Sequence, residues 1–119
     1  MRLVCPALVL LLTLGGPVAA QEVAEAAGAV LRGLDKVSGA TTDLTVKDGE
    51  TAVFGSLKVT LSSCRFPQDN PSADAFAHLT IAESSGQTIF DGWMIASSPA
   101  LSALDHPRYD IWVMRCTNS

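Results

Sequence analysis

Apolar and polar positions alternate with a period of two along much of the chain, and that period predicts strands. The clearest case is residues 57–61, where Leu57, Val59 and Leu61 point one way while Lys58 and Thr60 point the other. Residues 75–83 repeat the pattern with Ala77, Leu79 and Ile81. Beyond Leu61 the phase flips, because Cys64 and Phe66 are the next large apolar residues, and a bulge at Ser62 and Ser63 absorbs the extra residue. Further strands are expected over residues 29–37, 43–46, 51–54, 88–95 and 109–116. In the last of these, Ile111 and Val113 alternate with Trp112, Met114 and Cys116. Both faces are then apolar, which predicts a central strand covered on two sides.

Turn residues separate these runs. Gly49 suits the turn at 47–50, and Gly55-Ser56 reads as a two-residue, glycine-first hairpin loop. Residues 84–87 (SSGQ) form another hairpin turn, and residues 67–74 a polar loop containing Pro67 and Pro71. Ser98 ahead of Pro99 is a cap followed by a first-turn proline, predicting a short helix near Ser98–Leu104 that Pro107 ends. Residues 21–28, small and interrupted by Gly28, read as a flexible leader. The fold class expected is all-β, a small antiparallel sandwich or partly closed barrel of about seven short strands and one short helix.

The N-terminus changes this picture. Arg2 precedes an apolar run over residues 3–14, Gly15-Gly16-Pro17 breaks it, and Val18-Ala19-Ala20 offers small residues. Such a run is too short to span a bilayer, and the whole segment has the marks of a signal peptide cleaved after Ala20. Residues 29–119 then form one β domain behind the leader, and the mature chain holds no membrane span. Cleavage discards Cys5 and leaves Cys64 and Cys116, an even number in an exported chain, which predicts one disulfide. Closing a loop of that length stabilises by about 4 kcal/mol in the chain-entropy view. Two free thiols or half a metal site are the rival readings, and no CxxC or Cys/His spacing supports the latter.

Charge narrows the partners. The net charge is −4, and losing Arg2 makes it more negative, which argues against nucleic acid and anionic lipid. Candidate chemistry is sparse. Ser97, Ser98 and Ser102 lie near His106, Asp105 and Asp110, but the serines read as helix cap and helix surface, and no G-x-S-x-G elbow exists. His78 and His106 are the two histidines, and Asp69, Asn70 and Asp74 match no calcium loop, so neither metal nor cofactor is expected. The run Asp105, His106, Pro107, Arg108, Tyr109, Asp110 is the candidate interaction surface, with Arg108 as an anion ligand and Tyr109 as a platform. Its internal reading pairs Arg108 with Asp105 or Asp110 and sets His106 on the last helix carbonyls. Trp93 and Trp112 read as core.

The motif GWMIASSPALSALDHPRYDIWVMRC at residues 92–116, with GLDKVSG at 33–39, Phe54-Gly55-x-Leu57-x-Val59 and Cys64, resembles an uncharacterised bacterial family, domain of unknown function 2155. The resemblance covers residues 29–116 and implies a small exported protein of Gram-negative bacteria with a periplasmic home. It brings no activity, cofactor or catalytic residue. The function expected is therefore a non-enzymatic periplasmic module whose partner is another periplasmic or envelope protein. The alternatives are a hydrolase inhibitor, presenting the loop with Pro67, Asp69, Asn70 and Pro71, and an enzyme with a site near His106.

Overall fold

The structure is a computed structural model and describes residues 22–118. The signal segment, Cys5 and the cleavage site lie outside the described residues. Among the described residues, eight strands run in the order β1 (Val23–Glu25), β2 (Gly28–Asp35), β3 (Thr41–Lys47), β4 (Thr51–Phe54), β5 (Leu57–Pro67), β6 (Phe76–Glu83), β7 (Thr88–Ile95) and β8 (Tyr109–Thr117). They form two antiparallel sheets packed as a sandwich. One has the order β1-β5-β6-β7, with β4 also pairing β5, and the other has the order β3-β2-β8.

The alternation decides which side chains fill the space between the sheets. Leu57, Val59, Leu61 and Cys64 from β5, Ala77, Leu79 and Ile81 from β6, and Met94 from β7 face Ala29 and Leu31 from β2, Val46 from β3, and Ile111 and Val113 from β8. Each fully buried aliphatic side chain contributes about 1.5–3 kcal/mol. The register of β5 against β6 shifts between Leu61 and Ser63, so the expected bulge is present and returns Cys64 to the inside. Cys64 and Cys116 form the disulfide, with Cα atoms 5.7 Å apart. The bond crosses the core and clasps β5 of one sheet to β8 of the other.

Three details differ from the sequence reading. The strand covered on both sides is β2, where Val30 and Leu31 are consecutive and both buried, whereas β8 is an edge strand of its sheet. The outward Trp112 and Met114 of β8 are only half-buried, and Trp112 borders a cleft shared with Ala103 and Leu104 of the connection that follows β7. Part of the leader is already structured, since β1 pairs with the end of β5 and Ala26 N–H donates to the Cys64 carbonyl. Finally, the short helix shrinks to a 3-10 turn, Pro99–Leu101, with no capping bond from the Ser98 side chain. A segment of this length gains too few hydrogen bonds to offset helix nucleation, and Leu101 is exposed. Leu104, buried beyond the turn, is what pins the connection to the core.

Candidate functional site

The run 105–110 enters the structure as an internally bonded corner. Tyr109 opens β8 and drops its ring into the core, 6% exposed, edge-on to Phe54 at 5.3 Å. Two glycines make room for this pair. Phe54 lies against Gly33, where a Cβ would come within 2.7 Å of the ring. Gly55, at φ +58°, faces the Tyr109 ring, so any side chain there would meet both a strained backbone and the phenol.

His106 sits on Tyr109 with ring centroids 5.2 Å apart. Its Nδ1 accepts hydrogen bonds from the backbone N–H groups of Arg108, at 3.0 Å, and Tyr109, at 3.1 Å. The proton therefore resides on Nε2, which donates to Glu83 Oε1 at 2.8 Å. Both ring nitrogens are committed to holding the chain's entry into β8.

Arg108 forks onto Asp35, with Nη2–Oδ2 at 3.1 Å and Nε–Oδ1 at 3.4 Å, and its guanidinium lies 5.3 Å from the Tyr109 ring centroid. The Arg108 hydrogen bond holds the Asp35 carboxyl below the ordinary carboxylate range. Burial opposes this, and the N–H groups of Val37 and Ser38 reinforce it. Lys36 Nζ donates to the His106 carbonyl at 2.8 Å and pairs with Asp110 at 3.5 Å. The corner is bonded internally, but not to the expected partners: Arg108 takes Asp35 rather than Asp105 or Asp110, and His106 takes Glu83 and two N–H groups rather than helix carbonyls. Asp105 is exposed.

The other predicted groups fall elsewhere. Ser97 Oγ donates to Asp74 Oδ2 at 2.7 Å, while Asp74 Oδ1 accepts from the N–H groups of Ala75 and Ser97. Burial works against the Asp74 carboxylate, but these three bonds outweigh it and its pKa lies below the ordinary value. Ser97 and His106 are thus bonded to different carboxylates and do not pair as nucleophile and base. Among the described residues, no group of three or more His, Cys, Asp or Glu is placed to hold a metal ion. In the candidate loop, Asp69 and Asn70 are exposed and Pro71 follows them. Backbone bonds from Asn70 to Pro67 and from Ala73 to Asn70 order the loop, and Gln68 N–H bonds Glu22.

The feature that sequence reasoning missed lies on the outer face of the larger sheet. Trp93 on β7 is 39% exposed rather than core. Register places it beside His78 of β6, edge-on at 5.2 Å, and the Arg65 guanidinium of β5 lies 5.0 Å from its ring centroid. Glu25 reaches Arg65 at 3.4 Å, and Asp91 reaches His78 at 3.4 Å and Thr80 at 3.2 Å. The signal for it was available: Trp93 is out of phase with the buried Met94 beside it, and it pairs with His78, which alternates with Ala77 and Leu79.

The family described as "Uncharacterized protein conserved in bacteria (DUF2155)" matches residues 29–116, and the chain belongs to it. An uncharacterized protein of Rickettsia prowazekii, RP359, is 32% identical over 87 residues, which cover 70% of this chain and 56% of the relative. The chain therefore spans just over half the length of the curated relative it matches. No solved structure matches the chain significantly.

Proposed function

We propose that this member of the DUF2155 family is an exported, periplasmic module that acts by binding another envelope protein rather than by catalysis. The observation that carries the reading is the exposed Trp93, set on a strand face between an arginine and a histidine. Large aromatics and arginine are the residues on which protein interfaces concentrate their energy. The Cys64–Cys116 disulfide supports an oxidising compartment, as an exported chain requires. The reading also fits the His106 corner, whose reactive nitrogens are occupied by structural bonds.

The test is affinity capture from an envelope extract with the wild-type chain and with Trp93→Ala. The reading expects a stoichiometric partner on the wild type that the variant loses at unchanged melting temperature. Equal recovery on both would remove Trp93 from the interface. Repeated recovery of the protein alone would remove the reading itself. The inhibitor alternative is favoured by one feature, the ordering of the exposed loop at 68–73 by its own turns, since preorganised loops bind clefts at a lower entropic cost. Deleting residues 69–72 should then abolish inhibition of a target hydrolase while leaving the domain folded.

A further inference from the structure

We infer that Cys116 is a thiol-exchange site: a thiol entering the cleft beside the C-terminal end of β8 forms a mixed disulfide with Cys116 and releases Cys64. The two halves of the clasp differ in access. Cys64 is 0% exposed and lies inside β5, a strand held on both sides. It pairs with Ala77 of β6 on one side, and on the other its carbonyl accepts from the Ala26 N–H. Cys116 is half-buried and stands one residue before the end of β8. Among the described residues β8 pairs with β2 alone, where Cys116 meets Ala29, so it is an edge strand with one side uncovered by the sheet.

A cleft opens at that half of the bond. It measures about 510 Å³ and lies between Ala73 and Asp74 of the loop, Ala96 beyond β7, and Met114, Arg115 and Cys116 of β8. Sites for small molecules have this size, and a tripeptide thiol or the cysteine-bearing loop of a protein fits within it. Its wall carries one acid, Asp74, already bonded to Ser97 and Ala75, and one base, Arg115, so it imposes no net charge on the ligand.

A disulfide exchanges when a thiolate attacks one of its sulfurs, and access helps to decide which one. Here the thiolate attacks Cys116 Sγ. A new S–S bond forms as the Cys64–Cys116 bond breaks, the electron pair leaves on Cys64 Sγ, and Cys64 takes up a proton. In the reverse step Cys64 attacks the same Cys116 sulfur, expels the ligand thiolate and restores the clasp. The cysteine Cα atoms, 5.7 Å apart, keep the two within disulfide reach. The adduct is reversible, and while it lasts β5 and β8 are no longer cross-linked.

The site is independent of Trp93, so it can fail without touching the proposed binding face. The test incubates the oxidised, folded chain with excess glutathione or with a thioredoxin-type protein stripped of its resolving cysteine, quenches in acid and maps the adduct by peptide mass. At least roughly tenfold more adduct should lie on the Cys116 peptide than on the Cys64 peptide, as access dictates. Ala73→Trp, which fills the cleft from an exposed loop, should slow the adduct by roughly tenfold with the clasp and the melting temperature unchanged, and Trp93→Ala should leave the rate as it is. An adduct with glutathione alone assigns the site to small thiols, and one with the protein alone assigns it to a protein thiol. The inference is overturned by equal labelling of the two cysteines, by Ala73→Trp reacting as fast as wild type, or by adducts that form only at urea concentrations that unfold the chain.

Discussion

The His106 corner and the Trp93 face are assembled from the same kinds of residue and behave in opposite ways. Each has a histidine, an arginine, an aromatic ring and a carboxylate: His106, Arg108, Tyr109 and Asp35 in one, His78, Arg65, Trp93 and Asp91 in the other. Each has an arginine about as far from its ring, 5.3 Å in the corner and 5.0 Å on the face. In the corner the ring is core, and backbone N–H groups fix the histidine and the acid. On the face the contacts run between side chains, and the ring stays open to solvent. A polar, varied run of residues can thus be taken up in internal bonds, while a tryptophan in an ordinary strand stays open to solvent.

Matched substitutions sharpen this contrast. Tyr109→Ala should cost about 4 kcal/mol in urea unfolding, since it empties a core site against Phe54, whereas Trp93→Ala should cost about 1 kcal/mol or less. Comparable losses at the two sites would erase the distinction. The histidines give a smaller difference. His106→Ala strands two backbone N–H groups and Glu83 and should cost about 2 kcal/mol, while His78→Ala, which removes a surface contact to Asp91, should stay within about 0.5 kcal/mol.

The smallest effect is electrostatic. Asp35 binds its proton more weakly folded than unfolded, so its contribution is present above the unfolded carboxylate pKa and lost as pH falls through the depressed folded value. Urea midpoints of the wild type should therefore drop on acidification through that window. Asp35→Asn should flatten part of the drop, with Asp74 supplying a separate part. An unchanged slope in Asp35→Asn would mean that the Arg108 bond is broken in solution.

Much of the sandwich was legible in the chain, because burial on one sheet face forces alternation. Leu57, Val59 and Leu61, the bulge before Cys64, and the bounds of β4 and β7 were all visible as local signals. What the pattern could not distinguish was why a position is apolar. Trp112 and Met114 suggested a second core face, yet both are only half-buried on an edge strand. Short β1 carries too little apolar area to register. In the corner, the types were visible but not the partners, since Asp35 lies 73 residues from Arg108 and Glu83 lies 23 from His106. Those pairings depend on how β2, β6 and β8 come together.

The most direct measurement is quantitative capture from envelope extract with three chains side by side: wild type, Trp93→Ala and Arg108→Ala, each verified as folded by its melting curve. If the outer sheet face is the working surface, Trp93→Ala loses the partner and Arg108→Ala retains it. Retention by Trp93→Ala together with loss by Arg108→Ala would contradict the account and return the function to the corner at 105–110.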